Sequence, residues 1–289
     1  MNFTNLGGNS GCKIFLAEDS NNHSIFVRKI SADVSYNSRL ELQARKQMDF
    51  KSDSASAPEI YAMGYTPQGL FYFDMEYIRG ITLAEYMKTI HVSSIHGIAE
   101  AVMDCIIPSG NKGSNADIQA FTEKITSLQD RLSGMNNTVI DRAVNLLSCH
   151  DWNNFYATPC HGDLTLENII VKNGRLYLID FLDSFYDCWM IDAATLFQDS
   201  WLMWSYRNEA QDINTVIRLI VFRDIMEDMI TEKAGSNITR EIYFALLLKL
   251  IRIYPYAKDK ITLNFLDSKT RAVLRILDYE DADNTLCRE

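Results

Sequence analysis

Oxygen-bearing side chains recur at short intervals in the stretch 160–180, which reads CHGDLTLENIIVKNGRLYLID. Asp163 and Asn168 are five residues apart, and Asp180 follows twelve residues later, at the end of an apolar run. A carboxylate can orient a hydroxyl group and accept its proton, while carboxylate and amide oxygens suit Mg²⁺. Transfer of a phosphoryl group to a hydroxyl needs both parts. The spacing therefore predicts Asp163 as a base and Asn168 and Asp180 as magnesium ligands.

A short hairpin is predicted between the two magnesium ligands. Residues 172–174 read Lys-Asn-Gly, and the Asn-Gly dipeptide is favoured in tight turns between strands. Such a hairpin would return the chain so that Asn168 and Asp180 meet one ion. Each polar residue alone is more typical of a solvated loop or a helix cap, so the prediction depends on the whole set.

The elements that must hold this segment divide into a strand-rich beginning and a helical remainder. Strands are predicted at 12–18, 24–30, 60–64 and 70–77, with a helix at 36–50. Beyond Gly80, helical patterns cover 82–89, 95–107, 116–131, 137–148, 193–204, 213–233, 239–254 and 268–278. Segregated strands and helices indicate an α+β fold, with an N-terminal lobe at 1–78 and a helical C-terminal lobe at 79–289.

Composition narrows the class of protein. A net charge of −10 argues against nucleic-acid binding, which depends on Lys and Arg at phosphates. The six cysteines contain no CxxC pair, which is typical of a reduced protein without a disulfide framework. No stretch is apolar over the about 20 residues that a membrane span requires, and the N-terminus lacks a signal-like apolar run. We expect a cytoplasmic protein without a membrane span.

The pattern HGDLxxxNI followed by LIDF resembles the aminoglycoside phosphotransferase and choline kinase family, the small-molecule branch of the protein-kinase-like fold. The resemblance implies two lobes, with Asp163 as catalytic base and Asn168 and Asp180 as magnesium ligands. It further implies that His161 and Asp192 support the catalytic loop. Asp192 is equally typical of a helix N-cap before Ala193 and Ala194, and both roles are compatible.

The same resemblance implies a nucleotide site in the first lobe. Gly8, Ser10 and Gly11 belong to a glycine-rich loop that could approach phosphates, although such residues also make plain turns. Lys29, in the strand FVRKI, is similar to the lysine that contacts the α- and β-phosphates in kinases. The alternation of side chains along a strand places Arg28 on the opposite face. Glu41 is the predicted partner of Lys29 in the following helix.

The connection at 74–80, DMEYIRG, resembles the hinge of the family. Backbone groups at Glu76 and Tyr77 would bind the base of the nucleotide, which is ATP or GTP. An ordinary interdomain connection would have the same sequence character. The boundary between the lobes is the same under both interpretations.

Residues 182–204 are rich in acids and aromatic rings. Asp183, Trp189 and Trp201 could bind the acceptor by cation–π attraction or by stacking on a sugar. Burial of the tryptophans in a helix core is an equal alternative. The string IDFLDSFYDCWMIDAATLFQD resembles kinase-like proteins associated with bacterial surface polysaccharides, which implies a sugar, polyol or amino-alcohol acceptor. The family resemblance adds an aminoglycoside to these acceptors.

The sequence thus predicts a small-molecule kinase that uses Mg²⁺ and ATP or GTP. The alternative is a catalytically silent relative that binds nucleotide and regulates another protein. A silent relative would be expected to lack at least one of Lys29, Asp163, Asn168 and Asp180, all of which are present. Gly162 in place of an arginine, and the absence of an Ala-Pro-Glu segment after Asp180, argue against a protein acceptor.

Overall fold

The structure is a computed structural model that describes residues 2–7, 11–19, 24–108, 113–114 and 116–286. The chain divides into two compact units. The first unit consists of residues 1–86 together with 167–183, and the second of 87–166 together with 184–289.

The first unit contains two sheets and one long helix. Its strands are β1 (Asn2–Asn5), β2 (Lys13–Asp19), β3 (Ser24–Ile30), β4 (Ala55–Ser56), β5 (Ile60–Tyr65), β6 (Phe71–Glu76), β7 (Ile81–Thr82), β8 (Ile169–Lys172) and β9 (Arg175–Leu178). The larger sheet has the order β1-β2-β3-β6-β5 and is antiparallel throughout. The smaller sheet has the order β4-β9-β8-β7. The helices of this part of the chain are α1 (Asn37–Asp49) and the short α2 (Leu83–Met87).

Helix α1 packs on the larger sheet through an apolar cluster. Leu40 and Ala44 lie one turn apart on one face of the helix and contact Cys12, Phe71 and Phe73. All five side chains are buried. The sequence prediction of a helix between two pairs of strands is therefore correct to within one or two residues at each end of α1.

The β8–β9 hairpin has the turn that its sequence predicts. Lys172 pairs with Arg175, and the two residues between them, Asn173 and Gly174, have φ values of 52° and 76°. Two successive positive φ values are the conformation for which Asn-Gly is selected. The hairpin groups with the first unit because β7 pairs with β8 and β4 pairs with β9. The sequence analysis assigned 167–183 to the second lobe, and these pairings explain the difference. The boundary near 78–80 itself stays a prediction.

Gly80 lies where the chain enters β7 and passes close to β8. A Cβ atom at this position would lie 2.5 Å from Cγ2 of Ile170 and 2.5 Å from the backbone oxygen of Val171. Both separations are well inside van der Waals contact, so the position requires glycine. The glycine at the predicted hinge is therefore explained by the packing of the smaller sheet.

The second unit is helical. Its long helices are α3 (Ile95–Ile106), α4 (Ile118–Leu132), α5 (Thr138–Cys149), α6 (Trp189–Ser200), α7 (Ile213–Ala234), α8 (Ser236–Ile253) and α9 (Lys260–Leu286). All twelve residues of α6 are buried, and α6 packs against α7 and α8. Among the described residues, no helix combines the length and the apolar character that a bilayer-crossing segment needs.

The α+β fold predicted from the sequence is confirmed, and the differences lie at element ends and in short strands. Helix α6 begins at Trp189 instead of 193, and α9 covers Lys260–Leu286 instead of 268–278. The strands β1, β4 and β7 have two to four residues each and carry no alternating pattern long enough to recognise.

Candidate functional site

The segment that contains Asp163 is held by a buried carboxylate of helix α6. One oxygen of Asp192 accepts a hydrogen bond from the backbone N–H of His161 at 2.5 Å, and the other accepts from the N–H of Gly162 at 2.8 Å. Asp192 has no exposed surface. The predicted role of Asp192 in bracing the loop therefore has direct geometric support. The helix-cap alternative has less, because Cys188 is the residue at the N-cap of α6.

A second buried acid of the same helix was missed by the sequence analysis. Asp199 accepts a hydrogen bond from the backbone N–H of Leu166 at 2.7 Å. Its other oxygen accepts from both the backbone N–H and the hydroxyl of Ser205 at 2.8 Å. The signal was available, because Asp192 and Asp199 are seven residues apart and residues at that spacing share one face of a helix.

Gly162 and His161 shape the loop beside Asp163. Gly162 has a φ of 94°, a conformation that residues with a side chain rarely adopt. The glycine found where protein kinases have arginine is thus required by the backbone. His161 is buried, and its Nδ1 accepts the backbone N–H of Asp163 at 3.3 Å. The predicted supporting role of His161 agrees with this contact.

The carboxylate of Asp163 contacts a lysine that sequence reasoning did not select. Nζ of Lys249, on helix α8, lies 3.2 Å from Oδ1 of Asp163. The same ammonium group donates to the hydroxyl of Thr195 on α6 at 2.5 Å. The side chain of Asp163 is 44% exposed and that of Lys249 is 11% exposed. A half-exposed carboxylate on a braced loop is suited to contact a substrate hydroxyl.

The first unit contains a cavity of about 240 Å³ that is lined by three of the predicted nucleotide-binding residues, Lys29, Glu76 and Tyr77. Its walls are mostly apolar, and its polar lining includes Lys29, Asn168 and Asp180. The apolar lining consists of Leu6, Ile14, Val27, Pro58, Phe73, Met75, Ile78, Ile170, Ile179 and Phe181. An apolar slot with a few polar groups is typical of a site for a flat base joined to an anionic group.

Lys29 is buried and forms an ion pair with Asp180. Its ammonium group also lies 3.4 Å from Oε1 of Gln43 on helix α1. The predicted partner, Glu41, instead accepts from Arg45 one turn along the same helix at 2.6 Å. The predicted Lys29–Glu41 pair is corrected accordingly, because the face of α1 that points toward Lys29 carries Gln43. Glu41 has no observed contact that supports a nucleotide-binding role.

Arg28 lies on the opposite face of β3 from Lys29, as the alternation predicted. Its guanidinium forms a two-pronged hydrogen bond with Asp74 of β6, at 2.6 and 2.7 Å. The hydrogen bond to Asp74 raises the pKa of Arg28 above its ordinary value, and burial opposes the shift. This structural pair leaves Lys29 as the cation of β3 that faces the cavity.

The side chains of Asn168 and Asp180 carry the kind of oxygen ligand that Mg²⁺ prefers, and two protein ligands are enough when phosphates supply others. Both line the cavity, and the backbone N–H of Ile179 donates to the backbone oxygen of Asn168 at 2.9 Å, which ties the two ends of the hairpin together. Asp180 has a φ of 64°, an uncommon value for a residue with a side chain. No group of three or more His, Cys, Asp or Glu among the described residues could hold a metal. Mg²⁺ takes few protein oxygens when phosphates supply the others.

The other residues predicted to bind the nucleotide lie at different places along the first unit. Glu76 and Tyr77 both line the cavity at the end of β6, which agrees with a hinge contact to the base. Gly11 lies before β2, whereas Gly8 and Ser10 fall outside the described residues. Gln43 and Gln47 also line the cavity and are buried, and the sequence analysis did not select them.

The three predicted acceptor-binding residues each have contacts within their own unit. Asp183 belongs to the first unit and accepts from Arg39 at 2.7 Å and from Gln43 at 2.9 Å. Trp189 is buried, which agrees with the core alternative. Trp201 packs edge-on against Tyr243 at 5.7 Å between ring centres. These contacts give each of the three side chains a structural role.

The comparisons with known proteins indicate a class of enzyme. A sequence model of the phosphotransferase enzyme family, APH, matches residues 119–216, which is 98 of the 289 residues. This match confirms the predicted family resemblance. The matched family is also the class of enzyme that the sequence predicted, a phosphotransferase. Among curated proteins, no sequence matches the chain.

Solved structures share the fold at low sequence identity. A thermostable mutant of aminoglycoside phosphotransferase APH(4)-Ia, in a ternary complex with ADP and hygromycin B, has a TM-score of 0.64 at 15% identity over 95% of this chain and 93% of that one. The GDP and kanamycin complex of an APH(2") enzyme has a TM-score of 0.59 at 12% identity, with coverages of 98% and 94%. A choline/ethanolamine kinase family protein from Mesorhizobium loti has a TM-score of 0.57 at 16% identity, with coverages of 95% and 88%. The predicted protein-kinase-like fold is thereby confirmed.

Proposed function

We propose that the chain transfers the γ-phosphate of ATP or GTP to a hydroxyl group of a small molecule. One observation carries the proposal: Lys29 and Asp180, which are 151 residues apart in sequence, form an ion pair in the wall of one largely apolar cavity. Asn168 lines the same cavity. A buried lysine paired with a carboxylate at an uncommon backbone φ is an arrangement typical of functional sites, and it suits a metal-bound triphosphate.

In this proposal the cavity of the first unit binds the nucleotide. The apolar walls contact the base, the backbone near Tyr77 binds its polar edge, and Lys29 contacts the phosphates. Asn168 and Asp180 hold Mg²⁺, which supplies positive charge that neutralises the phosphate oxygens. The ion pair between Lys29 and Asp180 orients the two side chains toward each other in the cavity wall.

Asp163 is the proposed base. Its carboxylate orients the acceptor hydroxyl and takes its proton as the new oxygen–phosphorus bond forms. Asp192 and Asp199 support this role because they fix the backbone of the loop on both sides of Asp163. The acceptor we propose is an alcohol of the sugar, polyol, aminoglycoside or amino-alcohol class. Complexes of the similar structures with ADP and hygromycin B, or with GDP and kanamycin, support a nucleotide and a hydroxyl-bearing acceptor.

A panel of alcohols tests the proposal. Purified protein is incubated with Mg²⁺ and ATP or GTP, and with choline, ethanolamine, glucose, inositol, hygromycin B or kanamycin in separate reactions. We expect acceptor-dependent release of nucleoside diphosphate with at least one member, and a matching phosphomonoester signal in phosphorus NMR. Nucleotide binding without turnover on any acceptor would favour the catalytically silent alternative. No binding of either nucleotide would contradict the proposed site.

A further inference from the structure

Lys249 is an unusual residue for its position on helix α8. Ten residues of this helix are buried, from Glu241 to Leu248 together with Leu250 and Ile251, and nearly all of them are apolar. The side chain of Lys249 is only 11% exposed. Placing an ammonium group in such surroundings is unfavourable unless it is paired and hydrogen-bonded. The contacts of this group therefore indicate why the sequence retains it.

The ammonium group of Lys249 has two protein partners. Thr195 donates its own hydroxyl proton to the backbone oxygen of Ile191 at 2.8 Å, so its lone pairs remain to accept from Lys249 at 2.5 Å. The second partner is Oδ1 of Asp163 at 3.2 Å. Within the part of the chain that the structure describes, this ammonium has no other hydrogen-bond partner. Thr195 has no exposed surface, so the anchor is rigid.

Fold stability does not explain this ion pair. A buried ion pair is often no more stabilising than apolar side chains of similar volume. The two partners also differ in exposure, because Asp163 is 44% exposed and would stay hydrated if Lys249 were removed. An apolar residue at 249 would match its neighbours in the stretch 242–251. The ammonium therefore points to a role at the Asp163 carboxylate.

The proposed reaction creates a charge problem at this carboxylate. The acceptor oxygen bonds to the γ-phosphorus, the bond from that phosphorus to the bridging oxygen breaks, and its electron pair leaves with the nucleoside diphosphate. The hydroxyl proton moves to Asp163. Before it takes the proton, the negatively charged carboxylate must lie close to an anionic phosphoryl group, and like charges repel each other.

We propose that Lys249 is a positioning residue of the phosphoryl-transfer site. Anchored by Thr195, its ammonium group fixes the direction of the Asp163 carboxylate and offsets its negative charge as the anionic donor approaches. This inference rests on the proposed function, because Lys249 is assigned to the same site and acts through the proposed base, Asp163. It supplies from helix α8 a cation that the loop at 161–166 does not itself contain.

The test compares Lys249→Met with a matched control, Lys269→Met. Lys269 is a partly buried lysine of helix α9, and burial lowers its pKa. Both variants are assayed with MgATP and the most active alcohol of the panel. We expect Lys249→Met to lower kcat about 10- to 100-fold, the size expected for a misplaced catalytic group, with the KM for MgATP within about twofold. Its thermal midpoint should match that of the wild type. Lys269→Met should leave kcat unchanged.

Two further variants separate positioning from a merely structural role. Thr195→Val removes the hydroxyl anchor without changing the side-chain volume, and we expect a smaller fall in kcat, of about 10-fold or less. It also keeps the test valid if Lys249→Met does not fold. Lys249→Arg, which keeps the charge, should recover part of the activity. In the Asp163→Asn background, Lys249→Met should add little further loss, because residues that act through one group are not additive.

The outcomes distinguish this inference from the proposed function. Full kcat in both Lys249→Met and Thr195→Val, together with an inactive Asp163→Asn, would overturn the role of Lys249 and leave the kinase intact. A fall in kcat that comes with a clear fall in thermal midpoint, and that Lys249→Arg does not reverse, would also overturn the role of Lys249. An active Asp163→Asn would instead remove the base on which both depend.

Discussion

Asp192 and Asp199 lie two helical turns apart on α6, and each accepts backbone hydrogen bonds from the segment 161–166. Asp192 holds its beginning, and Asp199 holds its end at Leu166. Because seven residues correspond to about two turns, the two carboxylates share one face of the helix. A single rigid helix therefore fixes both sides of Asp163.

Replacing Asp192 should damage both the fold and the reaction. In Asp192→Ala the N–H groups of His161 and Gly162 lose a buried acceptor, which costs about 1–3 kcal/mol for each unsatisfied group. We expect a clear fall in the free energy of unfolding, measured with urea, and a fall in kcat. Asp228→Asn, an exposed change on α7, is the matched control and should alter neither quantity. Normal stability in Asp192→Ala would contradict the bracing role.

The two magnesium ligands should differ in strength. Asp180 brings a full negative charge, whereas Asn168 brings a neutral carbonyl, so Asp180→Ala should weaken magnesium-dependent nucleotide binding more than Asn168→Ala. Calorimetric titration of ATP with and without Mg²⁺ measures the difference. Asp180→Asn, which keeps the shape, separates loss of charge from loss of packing beside the buried Lys29. If the wild type binds ATP equally well without Mg²⁺ and Asp180→Ala binds like the wild type, the magnesium site is wrong.

Gly80→Ala should be destabilising because its Cβ would overlap the backbone of β8. We expect a loss of about 1–3 kcal/mol, the usual cost of overpacking. Gly97 lies in helix α3, where an added Cβ would meet no atom within 4 Å, so Gly97→Ala should stabilise the protein by about 0.5–1 kcal/mol. Urea unfolding of both variants measures whether each change lowers or raises the free energy of unfolding. Similar stabilities would show that β7 and β8 are not this close.

The cap of helix α7 should make stability depend on pH. The backbone hydrogen bond from Thr215 holds the pKa of Asp212 below its ordinary value of 3.8, and the Thr215 hydroxyl adds to the effect. A carboxyl with a lowered pKa in the folded state stabilises above the unfolded pKa and loses that contribution as pH falls through the folded pKa. The advantage of the wild type over Asp212→Asn should therefore shrink as pH falls below 3.8. Thermal unfolding of both proteins from pH 6 downward measures it, and a constant difference would contradict the assignment.

The sequence predicted those features that depend on neighbouring residues. The Asn173-Gly174 turn and the opposite faces of Arg28 and Lys29 follow from local geometry, and the structure has both. The partner of Lys29 was wrong because the rotation of α1 about its axis depends on how Leu40 and Ala44 pack on the sheet. A two-residue shift along a helix moves the side chain to another face. The residue of α1 that contacts Lys29 is therefore Gln43 and not Glu41.

The other differences between the sequence prediction and the structure involve residues that are distant in the chain. Lys249 is 86 residues from Asp163, and no spacing rule connects them. A signal was nevertheless present, since a lysine within the apolar stretch 242–251 requires a partner. Asp199 was missed, although its separation of seven residues from Asp192 predicts a shared helix face. Trp189, which was predicted to bind the acceptor, lies in the core because it is the first residue of the fully buried helix α6.

The most direct test of the central claim is the activity of Asp163→Asn. The amide keeps the size of the side chain and an oxygen that can accept from Lys249, but it cannot take the proton of a hydroxyl. Turnover of MgATP with the best alcohol of the panel is measured for wild type and variant, together with ATP affinity. We predict a loss of about 10²- to 10⁴-fold in kcat with nearly unchanged ATP affinity. Turnover of Asp163→Asn within a fewfold of the wild type would contradict the account.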